Sequence, residues 1–295
     1  MTEGVPEFGG VLLVDKPPGP TSHDVVDRAR RVLGVRRVGH TGTLDPFASG
    51  LLLLCVGPAT RLSEYLTGLD KEYRATARMG VATDTDDVDG EVVARADDVG
   101  DLDGAAVEAA LERFRGPIEQ RPPAFSAKKV AGVAAHRRAR RGETVHLEPV
   151  SVDIHELELE DLRLPDVLLR VLCSSGTYVR ALARDLGEEL GVGAHLTALR
   201  RTAVGSFRVE DAVGLAELEA ARAPLRWVGL PEALAHLPRM CVGGEEADRL
   251  THGQRIQVTA DLPEDGGPVA VIHEGRLVAV GEVDGGELCP RKVFA

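Results

Sequence analysis

At 295 residues, 43% hydrophobic and 28% charged, the chain is long enough for one large core plus a small accessory domain. No apolar run reaches the ~20 residues needed to cross a bilayer, and the N-terminus MTEGVPEFGG lacks the basic start and apolar stretch of a signal peptide, so a cytoplasmic protein with no membrane partner is expected. A net charge of −12 argues against a uniformly basic nucleic-acid binder, and four dispersed cysteines without a C-x-x-C pair give neither zinc-ligand spacing nor a disulfide framework; reduced, mostly buried thiols are expected.

Residues 10–15 read as a short buried strand, ended by Pro17-Pro18-Gly19-Pro20. Thr21 or Ser22 can cap the helix that follows, whose Val25, Val26, Ala29, Val32 and Leu33 form one apolar stripe. A glycine-rich loop, 39–50, leads into the apolar run Leu51 to Val56, a fully buried strand. Residues 73–80 alternate as a strand and enter an acidic segment, Asp84 to Asp103, with nine acids and one base. Its part around Asp97–Asp103 is expected to be a solvated surface loop. Residues 105–114 have helical spacing and stop at Gly116-Pro117. A loop or edge segment, 121–129, precedes a short basic helix, 134–141, ended by Gly142.

Two strands, 152–159 and 167–173, then lead to a helix over 177–190 with Arg180, Arg184 and Glu188 on one face. An Ala- and Pro-rich connector at 220–238 is expected to link two domains. Beyond it lie a short helix (245–250) and strands near Ile256, 269–272 and 277–283, a small β-rich module. The irregular mixture of strands and helices favours α+β over a doubly wound parallel sheet.

The charge is unevenly spread. Between Ser126 and Arg141 lie Lys128, Lys129, Arg137, Arg138, Arg140 and Arg141 with no acid, and a second basic cluster is Arg28, Arg30, Arg31, Arg36 and Arg37. Two such clusters are compatible with a local nucleic-acid groove, although a charge run is more often a solvated face.

The segment GHTGTLDPFASGLL, residues 39–52, carries the chemistry. It matches neither G-x-x-x-x-G-K-S/T nor G-x-G-x-x-G, which leaves out a P-loop or dinucleotide fingerprint. Asp45 lies on a loop stiffened by Pro46, where a nucleophile or base could be held, but spacing alone favours an aspartate capping a turn. The segment resembles the catalytic motif of the TruB family of tRNA pseudouridine synthases, G-H-x-G-x-L-D-P-x-A-x-G-x-L. Five further stretches are similar to that family in the same order: VLLVDKP (11–17), KEYR (71–74), TDTDDVDG (83–90), SSGTYVRALARDLG (174–187) and GAHLTALRRT (193–202).

The resemblance implies an α+β fold of the pseudouridine-synthase type: a mixed, largely antiparallel sheet flanked by helices, with a small β-barrel-like module of the PUA type. It divides the chain into a catalytic domain, 1–232, and an RNA-binding module, 233–295. It implies isomerisation of a T-loop uridine (position 55) in tRNA, after base flipping, with no cofactor and no metal. Asp45 matches the family's catalytic aspartate, Arg180 the arginine that pairs with it, and Tyr73 the tyrosine that stacks on the target uracil. Without the resemblance, Arg180 reads as a solvated helix arginine and Tyr73 as a core residue with a wet hydroxyl. Tyr178 would line the same pocket and His40 would support the extruded loop. Lys16, Lys128, Lys129, Arg137, Arg138, Arg140, Arg141, Arg200 and Arg201 are candidate RNA contacts. The expected partner is the T-arm of tRNA, bound by a monomer without a guide RNA or obligate protein partner. A tRNA-binding or tRNA-folding protein whose catalysis is secondary is the alternative. Phe125-Ser-Ala-Lys-Lys129 departs from the family's usual Tyr-Ser-Ala-Leu/Ile-Lys.

Overall fold

The apolar run at Leu51–Val56 is the buried spine of the molecule, and every one of its side chains is shielded from solvent. The computed structural model describes residues 5–7, 9–126, 128–130, 133–135, 138, 141, 143, 147–220, 225–258, 262 and 266–294. The N-terminal elements are β1 (Gly10–Lys16), α1 (Ser22–Leu33), β2 (Val38–His40), β3 (Ser49–Val56), α2 (Ser63–Thr67) and β4 (Lys71–Met79). There follow β5 (Val81–Thr83), β6 (Val92–Arg95), α3 (Gly104–Leu111), β7 (Gly116–Gln120), β8 (Lys129–Val130), β9 (Val133–Ala134), β10 (Val150–Arg163) and β11 (Asp166–Cys173). Then come α4 (Val179–Glu189), β12 (Ala194–Val204), β13 (Phe207–Arg208), β14 (Val213–Gly214), α5 (Leu215–Ala220), β15 (Trp227–Val228) and α6 (Leu230–Ala233). The tail holds β16 (Arg239–Cys241), α7 (Gly244–Thr251), β17 (Ile256–Gln257), β18 (Pro268–His273), β19 (Arg276–Asp284) and β20 (Glu287–Val293).

The main sheet runs β14-β1-β3-β12-β4-β11-β10-β7. Only the β1–β14 and β3–β12 pairs are parallel; the rest is antiparallel, the mixed sheet the sequence led us to expect. Along β4 the residues Lys71, Tyr73, Ala75, Ala77 and Met79 point to the buried face, while Glu72, Arg74, Thr76 and Arg78 point the other way. That face packs with α3 and α4 into one core, through Val107, Leu111, Leu182 and Leu186 among others. Helix α1 closes a second core over β1 and β3.

Strand β12 was not anticipated as a strand. It lies between β3 and β4 and puts Arg200 and Arg201 on opposite faces of the sheet, one strand away from Tyr73. Where it is described, the 220–238 connector is built into the main sheet: β15 pairs with β1, and α6 shares its apolar cluster. The basic helix expected over 134–141 falls largely outside the described residues; Ala134 itself ends β9.

The tail forms a five-stranded sheet, β16-β18-β19-β20-β17, with its own core. It is held to the main sheet by a shared apolar cluster that includes Leu13, Leu66, Leu230, Leu277 and Phe294. Polar ties reinforce that contact. Arg61 donates to Val293 O (2.5 Å) and covers the Phe294 ring, while Lys292 pairs with Glu64 and covers the Tyr65 ring.

Candidate active site

Asp45 stands in a loop fixed on both flanks. Thr21 takes the N-cap of α1, which frees the Ser22 hydroxyl to donate to Leu44 O (3.1 Å) and to accept from the Leu44 N–H (2.8 Å). On the other flank Pro46 O accepts from the Gly19 N–H (2.8 Å) and from Lys16 Nζ (3.3 Å). The Ala48 N–H donates to Asp45 O at 3.1 Å and closes the turn. Downstream, Gly50 adopts φ +104°, and a Cβ there would lie 2.2 Å from Arg201 O, so only glycine lets β3 approach β12 this closely.

The Asp45 carboxylate faces Arg180. Nε lies 2.9 Å from Oδ2 and Nη2 lies 3.3 Å from Oδ1. The Arg180 side chain is only 4% exposed, against 34% for Asp45, so the cation is the buried member of the pair. Its other N–H groups donate to Thr85 O (2.8 Å) and Phe125 O (2.9 Å), and Nη1 lies 3.2 Å from Asp87 Oδ2. Asp87 is held in turn by the Thr85 hydroxyl (2.6 Å) and the Asp89 N–H (3.1 Å). Burial raises the Asp87 carboxyl above its ordinary range, opposed by Thr85 and by the Arg180 charge.

Asp87 is the buried carboxylate of this site that charge patterning does not mark. Residues 97, 98 and 101 are exposed as expected of a solvated acidic loop, but Asp86 and Asp87 of the same run are buried against arginines of α4. Only the TDTDDVDG resemblance marked that stretch.

A cavity of about 430 Å³ opens beside Asp45, with Lys71, Tyr73, Tyr178, Leu199 and Arg201 on its walls. Tyr73 lies opposite Arg201 across the β4–β12 pair, and the Arg201 guanidinium donates toward its hydroxyl oxygen. Burial raises the Tyr73 hydroxyl, so it stays protonated at neutral pH. Tyr178 precedes α4, its N–H donating to Gln120 Oε1 (2.8 Å), and burial raises its hydroxyl as well.

Three cations stand around this cavity or behind its Asp45 wall with backbone carbonyls as partners. Arg201, 1% exposed, donates to Leu51 O (2.7 Å) and Gly42 O (3.2 Å). Lys71 donates to Thr67 O (2.6 Å) and Leu69 O (2.5 Å). Lys16, with no exposed surface, donates to Pro17 O (3.0 Å), Pro20 O (2.9 Å) and Pro46 O. Burial pushes both lysines down to about 8. Lys16 therefore cannot touch RNA from where it lies; it ties down the peptide that follows Asp45, a correction to its expected place among the RNA contacts.

The other expected contacts are scattered. Arg200 forms a two-point pair with Asp15 (3.1 and 2.7 Å) on the opposite face of the sheet from Arg201. His40 on β2 is half-buried; burial first, then Arg201, lowers its pKa and keeps it neutral, and its Nδ1 has no hydrogen-bond partner among the described residues. Lys128 reaches Glu148 O (3.4 Å), Arg138 pairs with Glu143 (2.6 Å) and Arg141 is exposed. Arg137, Arg140 and the Lys129 side chain lie outside the described residues. The cysteines are free thiols, Cys55 and Cys173 buried, Cys289 partly so and Cys241 exposed. Among the described residues no group of His, Cys, Asp or Glu is placed to hold a metal ion, and no helix is long and apolar enough to cross a membrane.

The arrangement separates the two carboxylates energetically. Removing Asp87 takes away the buried carboxylate that faces a buried guanidinium, and Asp87→Ala should lower stability by about 3 kcal/mol. Asp45→Ala removes a one-third-exposed anion and should change stability by less than about 1 kcal/mol. Thermal and urea unfolding of the two variants checks this; equal losses would contradict it.

Residues 30–179 match the TruB family pseudouridylate synthase N-terminal domain, 180–236 the tRNA pseudouridylate synthase B C-terminal domain, and 238–294 the pseudouridine synthase II TruB C-terminal domain. The chain is 48% identical to tRNA pseudouridine synthase B of Thermobifida fusca, over 97% of this chain and 98% of that protein. It is 52% identical to the protein of the same name from Symbiobacterium thermophilum, over 86% and 85%. Among solved structures it resembles an H/ACA RNP bound to a substrate RNA containing 2′-deoxyuridine (27% identity, TM-score 0.74, 97% of this chain and 85% of that one). An archaeal box H/ACA sRNP complex is similar (28%, TM-score 0.73, 97% and 86%). A sheet built around the GHTGTLDP loop, with sequence matched from residue 30 to residue 294, places this chain in the TruB family of pseudouridine synthases.

Proposed function

We propose that this chain isomerises a uridine of tRNA to pseudouridine, that the target lies in the T-loop at position 55, and that Asp45 is the catalytic carboxylate. The observation that carries the reading is the Asp45–Arg180 pair at the wall of a cavity flanked by Tyr73 and Tyr178. The relatives named tRNA pseudouridine synthase B support the tRNA substrate. The reaction breaks the C1′–N1 bond, turns the uracil and joins C1′ to C5; the C5 proton leaves and N1 ends protonated. Atoms and electrons balance within the nucleotide.

In this reading each wall of the cavity has a task. Asp45 attacks C1′ or removes the C2′ proton, and Arg180 fixes its direction. Tyr73 stacks on the uracil, and Arg201 holds its hydroxyl in place at the cavity wall. Extruding the nucleotide from a folded loop costs a few kcal/mol, offset by stacking on the aromatic walls and by phosphate contacts. The clusters at Arg28–Arg37 and Lys128–Arg141 supply those contacts, despite the net charge of −12.

The direct test is tritium release from tRNA transcript labelled at uridine C5. Wild type should release tritium, a transcript with cytidine at the T-loop position should release none, and Asp45→Asn should bind tRNA but release none. Binding without release by wild type would leave the tRNA-binding alternative in its place.

The lysines give the site a pH limb. Lys16 and Lys71 are charged below about 8 and lose their protons above it, which removes two positive charges from beside a working carboxylate. The single-turnover rate should therefore fall as pH rises through about 8, less steeply in Lys71→Arg. A rate that climbs through that range would contradict the assignment.

A further inference from the structure

Helix α4 carries two arginines one turn apart, and each bridges the same two loops. Arg180 donates to Thr85 O in the 84–90 loop and to Phe125 O in the 121–126 loop. One turn on, Arg184 donates to Asp86 Oδ2 (2.9 Å) in the first loop and to Arg121 O (2.9 Å) in the second. Its Nε and Nη2 also share Asp185 Oδ1 at 2.9 and 2.7 Å, which fixes the plane of the guanidinium. The two arginines thus form two rungs of a ladder, and only the first touches Asp45.

The second rung is built at a cost. Asp86 is 8% exposed and adopts φ +60°, a left-handed conformation uncommon outside glycine. Its backbone is pinned there because the Leu196 N–H of β12 donates to Asp86 O at 3.0 Å. Asp86 and Arg184 themselves line a cavity of about 400 Å³, together with Asp84, Arg121, Pro122 and Glu148 among others, and Asp45 is not among its walls. Residues 121–124 and 147–149 around that cavity are the two roots of the 121–149 excursion, which carries the basic segment. Among the described hydrogen bonds Arg184 is the side chain of α4 that reaches both Asp86 and Arg121, so it spans the two loops at this level.

We infer that Arg184, with Asp86 as its anchor, is a positioning residue for the isomerisation: it holds the 84–90 and 121–126 loops in register, so that Thr85 O, Asp87 and Phe125 O aim Arg180 and, through it, Asp45. The inference rests on Asp45 and Arg180 being the catalytic pair. Displacing any acceptor rotates a guanidinium whose five N–H groups are otherwise all directed, and misaiming a reacting group by about 1 Å can cost ~100-fold in rate.

The test is a double-mutant cycle on the single-turnover rate constant, with Arg184→Gln, Asp86→Asn and the double variant, alongside tRNA affinity and melting temperature. Each single variant should lose about tenfold in rate with affinity within threefold, and the double variant should be no slower than the worse single one. Asp86→Asn is isosteric and keeps the test available if Arg184→Gln lowers the folded fraction. Rates within twofold of wild type in Asp86→Asn, or losses that multiply in the double variant, would overturn the inference. Absence of isomerisation by wild type itself would instead overturn the function on which it rests.

Discussion

The site depends on one buried cation. Arg180 lies inside the fold at 4% exposure, and an unpaired guanidinium there would be too costly to keep. Its partners come from three chain segments: Asp45 after β2, Thr85 and Asp87 after β5, and Phe125 after β7. Satisfying one side chain of α4 thus fixes the relative positions of three otherwise independent loops. Of its two carboxylate partners Asp45 is the more exposed and Asp87 is buried, so the arrangement leaves one carboxylate both oriented and accessible.

The local field differs in sign from the whole molecule. The chain carries −12, yet Lys16, Lys71, Arg180 and Arg201 surround the cavity or back its walls, and among the described residues only Arg180 of these four pairs with carboxylates. Backbone carbonyls satisfy the other three, which leaves their full charges in place rather than cancelling them in ion pairs. A polyanion is drawn to such a pocket although the protein as a whole repels it. Acids that contribute to the net charge sit elsewhere, among them those of the exposed 97–101 loop and of β10.

Much of this was legible in the residues. The buried strand at 51–56, the helix stripe at 25–33 and the strand pair 150–173 follow from periodicity, because each buries one continuous face. The role proposed for Asp45 is not legible from spacing; it rests on an ordered set of motifs. Strand β12 escaped because its sequence, AHLTALRRTAV, mixes both faces of a central strand with two arginines, and burial of Arg201 is decided by carbonyls of other segments. Likewise Asp86 and Asp87 are sequence neighbours of solvated acids, and only tertiary arginines distinguish them. Lys16 was misplaced for the same reason: its three acceptors are carbonyls, which composition cannot reveal.

The central claim is that Arg180 aims Asp45 through several simultaneous contacts rather than by charge alone. Arg180→Lys keeps the charge but has one ammonium to serve acceptors spread around a planar fork. Its single-turnover rate on labelled tRNA, measured beside its tRNA affinity, tests the claim most directly. A loss of about 100-fold in rate or more with affinity within a few-fold is the expected result. A rate within twofold of wild type, or a loss fully explained by weaker binding, would contradict it.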